Sequence, residues 1–330
     1  MTFLFTFCLW IAIGGCANTG PAIPRDELGV LEKELEGLGS KRYVESLDRI
    51  WRIEYKILKT LPPGECSHKE TGIGALIMKG SDKVSRAFGL SKQDRCILVS
   101  VAEGGPADQA GLKPGDVIKG VDDKETEDAD GLKFTEGKPA RVIVERGGVE
   151  MAFTVVPEEV PYIKIRLKET DRVNAFAKFT GIEVTGGMLR FVENDDELAM
   201  IIGHEIAHLT HGHLPKNMAV AGLCGLVGGL TGPFVMHTTQ ALYAPYCREN
   251  EREADYFGLL YTHRAGYDIE KGIELWKRFA IEIPRSRSKS FLRTHPATTE
   301  RILRVKKVAE MIKDGYEEWD YDTVKETEGD

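Results

Sequence analysis

The stretch "GHEIAHLTHGH", residues 203–213, carries four of the eight histidines in the chain. Within it His204, Glu205 and His208 form His-Glu-x-x-His, and on a helix residues four apart share a face. Two imidazoles so placed reach one ion, and Glu205 stands beside it to take a proton from bound water. The donor set points to a transition metal, above all zinc, one ion per chain. The residues just before, "NDDELAMII", read as the same helix. Asn194 or Asp195 caps it, Asp196 and Glu197 load its first turn with negative charge, and Leu198, Ala199, Ile201 and Ile202 make an apolar face.

A catalytic zinc site needs a third protein ligand and an open fourth position. A local third His fails, because the places where it would follow hold His211 and Leu214. His211 lies a turn beyond His208 and would need the helix to break to reach the ion. His211 and His213 therefore read as polar, partly exposed residues. The better candidate is "ENEREADYFGLL" at 249–260, a second helix in which Glu251 and Asp255 stand four apart. Glu251 supplies a ligand oxygen, and Asp255 accepts the free N–H of a ligand histidine, fixing its tautomer. Glu249, Arg252 and Glu253 read as the solvated face.

These residues resemble the zinc metallopeptidases that include the HtpX-type heat-shock proteases, the CAAX prenyl endopeptidases and the BepA-type proteases. "VNAFAKFTGIEVTGGML" (173–189) looks like the family's Asn-Ala-Phe-Ala segment and following strand, and "THPATTERI" (294–302) is similar to its late Thr-His-Pro element. The likeness covers about residues 161–310. It implies Glu251 as third zinc ligand, and His295 and Arg301 beside the catalytic water or the substrate carbonyl. It also implies peptide-bond hydrolysis, with Glu205 as general base and then proton donor to the leaving amine. An extended protein substrate would add to "GIEVTGG" or the stretch before it if that strand is an edge; an interior strand is the alternative.

The start, "MTFLFTFCLWIAIGGCANTG", has a short apolar run ending in small residues, the shape of a signal peptide. "IGGC" resembles a bacterial lipobox, with Cys16 lipidated and Ala17 directing the protein to the outer membrane, so the expected location is the bacterial periplasm on a lipid anchor. Cys66, Cys96, Cys224 and Cys247 then remain in an oxidising compartment; Cys66–Cys96 and Cys224–Cys247 keep each bridge inside one region.

The formal charge of −8 leaves no basic surface for phosphates, so nucleic acid is not an expected partner. Residues 25–60 show Leu and Ile at helical spacing interrupted by Gly37 and Gly39, which reads as two helices. "ILVSVAEGGPADQAGLKPGDVIKGVDDKE" resembles a bacterial PDZ domain, followed by a hairpin on Gly147 and Gly148. A peptide C-terminus is the ligand this implies, at "GIGA" (72–75) or "AFGL" (87–90). The stretch 217–247 has no Lys, Arg, Asp or Glu. Because His208 precedes it and Glu251 follows, it crosses a bilayer twice or not at all, and it is too short for two spans of about twenty residues each. It reads as a helical pair near the active site.

The expected class is α+β: a mainly helical zincin-type peptidase domain with a small edge sheet, preceded by a β-rich PDZ domain and a helical N-terminal segment. The expected boundaries are 1–16 signal peptide, 17–70 helical segment, 71–160 PDZ, 161–312 peptidase and 313–330 acidic tail. The expected function is zinc endopeptidase action on extended, misfolded or stalled envelope proteins. The rivals are a PDZ-bearing assembly scaffold and a site-two-type intramembrane protease.

Overall fold

The computed structural model describes residues 23–91, 95–122, 124–125, 131–178, 180–213, 233–283, 295 and 298–315, and of 233–248 the backbone alone. The expected signal segment with Cys16, Cys224, the side chain of Cys247, the first half of the uncharged stretch and the acidic tail beyond residue 315 lie outside that description.

Helix α1 runs unbroken over Arg25–Lys59. The expected pair of helices is therefore one. Gly37 and Gly39 sit on open surface with nothing near the place of a side chain. Each costs about 1 kcal/mol relative to Ala, too little to end a helix whose second half is packed. That half buries Val44, Leu47, Ile50, Ile53, Ile57 and Leu58 at three- and four-residue spacing.

Strands β2 (Ala75–Lys79), β3 (Cys96–Val101), β4 (Val117–Val121), β6 (Ala140–Arg146) and β7 (Val149–Val155) form one sheet in that order, with β5 (Lys124–Glu125) on β4. Helices α2 (Asp82–Ala87) and α3 (Pro106–Ala110) complete this unit. Ser81 caps α2, and Gly111 at φ 89° ends α3. The β6–β7 hairpin turns on Gly147 and Gly148, both at positive φ, as its sequence requires. Strands β1 (Lys69–Gly72) and β8 (Glu158–Pro161) pair antiparallel where the chain enters and leaves the unit.

The second unit has a three-stranded sheet, β10 (Ala175–Lys178), β11 (Gly181–Thr185) and β9 (Ile165–Lys168), with β11 in the middle. "GIEVT" is thus the interior strand, and the stretch before it, β10, is an edge. Around the sheet lie α4 (Gly186–Phe191), α5 (Asp195–Thr210), α6 (Pro233–Arg264), α7 (Ile269–Glu282) and α8 (Thr299–Lys313). The later half of the uncharged stretch forms the start of α6. Among the described residues no helix is long and apolar enough to cross a membrane.

No disulfide joins Cys66 and Cys96, which corrects the expected Cys66–Cys96 bridge. Cys96 is buried in the core of the β-rich unit, whereas Cys66 packs on the edge of the helical unit's core. The two belong to different cores, so nearness in sequence did not make them partners.

Candidate metal centre

Helix α5 starts at Asn194, whose Oδ1 accepts from the Glu197 N–H at 3.0 Å, with three acids in the first turn. From Glu197 to His208 every residue of α5 is buried, because α6, α7, α1 and the sheet all pack on it. The α5–α6 approach is backbone on backbone. A Cβ on Gly203 would lie 2.5 Å from Thr262 Oγ1 and 2.7 Å from the Gly258 carbonyl. One on Gly258 would lie 2.8 Å from both N and Cα of His204. Only glycine at both places lets the two helices meet closely enough to bring His204 onto the carboxylates of α6.

His204, His208, Glu251 and His295 form a group whose ligand atoms all lie within 4.8 Å of one another. His204 Nε2 is 3.1 Å from His208 Nε2 and 3.5 Å from Glu251 Oε2, and His208 Nε2 is 3.2 Å from Glu251 Oε1. Tetrahedral zinc with ligands at about 2.0–2.2 Å places neighbouring donors about 3.3–3.6 Å apart, so the side chains fit one ion. His295 Nδ1 reaches Glu251 Oε2 at 2.8 Å and His204 Nε2 at 3.1 Å. It lies inside the ligand group rather than at its rim.

The supports of the two histidines differ. His204 Nδ1 meets Asp255 Oδ1 at 3.1 Å. Asp255 in turn is gripped by Arg301, Nε to Oδ2 at 2.8 Å and Nη2 to Oδ1 at 2.7 Å. Arg301 Nη1 also reaches Glu251 Oε2 at 2.8 Å, and its guanidinium lies 3.9 Å from the centre of the Trp276 ring. The structure thus places Arg301 behind the ligands, buried on two carboxylates. His208 Nδ1 contacts His213 Nδ1 at 2.8 Å.

Burial disfavours charge on the His204 ring, yet hydrogen bonds to Asp255 and Glu251 outweigh it and hold the pKa at about 9. Burial pushes His208 down, and the charge on His204 adds to that. Burial works against an ionised Glu251, but the positive charges of His295 and Arg301 keep its carboxyl well below the usual range. Asp255 is likewise lowered against its burial, by Arg301 first. Burial brings His213 down to about 4, which keeps its ring neutral. A pocket that makes a ring nitrogen hold a proton so firmly is one that favours a cation at that point. The donor set and the electrostatics both fit a divalent ion.

Glu205 is 1% exposed. Its Oε2 accepts from the Ala177 N–H of β10 at 2.7 Å, while Oε1 has no hydrogen-bond partner among the described residues and lies 3.4 Å from His295 Nε2. Sequence reasoning did not single out Ala177, Gly203, Gly258 or the contact of His213. Ala177 stands in the Asn-Ala-Phe-Ala segment, and His213 follows Gly212 at φ 64°, a helix-ending signal that turns the chain back.

Two imidazoles from one helix, a carboxylate from a second and a further carboxylate held by an edge strand define a metallopeptidase-type centre on an α+β scaffold. Residues 144–309, half of the chain, match Peptidase family M48, and the chain belongs to that family, whose metal is zinc. Residues 97–142 match a PDZ domain. The mitochondrial metalloendopeptidase OMA1 of Saccharomyces cerevisiae is 31% identical over 165 residues, 44% of this chain and 46% of that protein. A putative beta-barrel assembly-enhancing protease of Vibrio cholerae is 32% identical over 150 residues, 39% of this chain and 31% of that protein. The beta-barrel assembly-enhancing protease of Escherichia coli K12 is 26% identical over 173 residues, 44% of this chain and 34% of that protein. The chain spans less than half the length of each of these relatives.

Proposed function

We propose that this chain is a zinc metalloendopeptidase of the bacterial cell envelope that cleaves extended segments of misfolded or stalled envelope proteins. The observation that supports it most is the convergence of His204, His208 and Glu251 from two helices onto one point, with Glu205 beside it. His204, His208 and Glu251 would hold the ion. Bound zinc lowers the pKa of water and polarises a peptide carbonyl.

The chain's own residues do the rest. Ala177 fixes one oxygen of Glu205, which leaves Oε1 to take a proton from the attacking water and return it to the leaving amine. Because that N–H faces Glu205, the side of β10 away from β11 lines the catalytic carboxylate. A substrate strand added along this edge would lie with its peptide bonds beside Glu205, bound through its backbone with little sequence preference. Asp255 orients His204, and Arg301 holds both Asp255 and Glu251 in place. His295 shares the space next to Glu205 that a reacting carbonyl must enter.

The periplasmic location is supported by the signal-like start and the family resemblance, and the outer-membrane anchor at Cys16 by the lipobox-like "IGGC". The PDZ unit would hold a peptide C-terminus and bring clients to the centre. Replacing Glu205 by Gln should leave one zinc per chain and reduce cleavage of an unfolded protein by about 10²-fold or more. Unchanged cleavage would remove Glu205 from its role, and complete cellular rescue by this variant would favour the scaffold reading.

A further inference from the structure

Beyond the ligand group, the described residues hold a second chain of titratable side chains. It begins at His208 Nδ1, which lies 2.8 Å from His213 Nδ1. His213 Nε2 reaches Glu253 Oε2 at 2.9 Å. Glu253 Oε1 lies 3.3 Å from His211 Nδ1, and His211 Nε2 meets the Tyr261 hydroxyl at 3.1 Å. The His213 side chain is 1% exposed and that of Glu253 33%, so a buried ring is joined to a carboxylate near the surface. Among the described residues these side chains do not form a second group with metal-ligand spacing.

We propose that His213 and Glu253 form a two-step relay that positions His208 as a zinc ligand. The proposal rests on the reading of His208 as a ligand. Each ring-to-ring contact holds a single proton, and a carboxylate only accepts. Glu253 therefore accepts a hydrogen bond from His213 Nε2–H, and a His213 that carries its one ring proton there presents a bare Nδ1. That atom accepts from His208 Nδ1–H, which leaves the lone pair of His208 Nε2 directed at the ion. The opposite arrangement would put a proton on the ligating nitrogen.

The two ligand histidines are thus held by unlike devices. His204 Nδ1 lies directly against the carboxylate of Asp255, while His208 reaches its carboxylate through an intervening imidazole. The device exists because α5 stops at His211 and Gly212 adopts φ 64°, so the chain folds back and His213 lies beside the ring five residues earlier. Glu253 is fixed from both sides, since His211 also touches it and stacks on Phe257 with ring centres 3.8 Å apart.

Zinc dissociation constants of the purified chain, measured by competition with a chelating chromophore, test the relay. Asn at 213 places a carbonyl oxygen where the His Nδ1 stood, and Leu fills the space without an acceptor. His213→Asn should stay within about threefold of wild type, while His213→Leu should bind zinc about 10–100-fold more weakly. Glu253→Leu, which removes the acceptor of the His213 Nε2–H, should weaken binding in the same direction, and adding it to His213→Leu should cost nothing further, because the two act in series. Glu253 is partly exposed, so its variant reports on the relay even if a buried substitution disturbs folding. Equal affinities for the Asn and Leu variants, or additive losses in the double variant, would overturn the relay alone. A wild-type chain that binds no zinc would overturn it together with the reading of the site.

Discussion

Glu54 is a carboxyl group buried in the second half of α1, 3% exposed, with an oxygen that has no hydrogen-bond partner among the described residues. Desolvation raises its pKa well above the ordinary carboxylate value. The folded chain therefore holds a proton there that the unfolded chain releases near its ordinary pKa of about 4.3. The sign follows: this residue costs no stability below that pH and progressively more as pH rises toward the raised folded value, where the loss levels off. Glu54→Gln should match wild type in acid and become the more stable of the two as pH increases. Paired thermal melts from pH 4 to 8 check this, and curves that stay parallel across the range would show that Glu54 is not neutral in the fold.

At the scale of elements, the centre depends on how closely α5 and α6 pack. Gly258→Ala puts a methyl group 2.8 Å from the His204 backbone, with no flexible side chain there to yield. It should destabilise the chain by about 1–3 kcal/mol as overpacking does, and lower its zinc affinity by separating His204 from Glu251. Gly39→Ala is the contrasting case, since it faces open space in a helix. It should stabilise by up to about 1 kcal/mol and leave zinc binding unchanged. Denaturant midpoints and zinc titration of the two variants separate packing from propensity.

The contrast also explains what could be read in advance. His204, His208, Glu251 and Asp255 were legible because helical periodicity puts residues four apart on one face. A glycine's use at a helix crossing depends on the partner helix, which no local pattern reveals. The contact of His213 was missed for a similar reason: helical spacing carries a side chain away from His208, and Gly212 brings the chain back. Gly37 and Gly39 suggested a break because propensity is local, whereas the burial that overrides it involves distant residues. The acids of 249–255 shared one helical pattern, so Glu253 looked as solvated as Glu249.

Over the whole molecule, α1 belongs to both units. Val44 and Leu47 pack with Val84, Ile97, Val99 and Val117 of the β-rich unit, while Ile50, Ile53, Ile57 and Leu58 join the core around α5. Polar contacts follow the same division: Asp48 accepts from the Ser100 hydroxyl, and Arg49 pairs with Asp195 at the start of the metal-bearing helix at 2.6 Å. A helix shared this way couples the two units, so calorimetry of the purified chain should show one unfolding transition. Leu47→Ala, with a cost of about 2–5 kcal/mol, should lower that transition as a whole. Two separate transitions, with only one shifted by the substitution, would mean that the units are energetically independent.

One ion held jointly by α5 and α6 is what joins the two helices into a catalytic centre. Anomalous diffraction at the zinc edge, from crystals of the chain grown with stoichiometric zinc, addresses this most directly. One peak bound by Nε2 of His204, Nε2 of His208 and the carboxylate of Glu251 is the predicted result. A peak elsewhere, or none between the two helices, would contradict it.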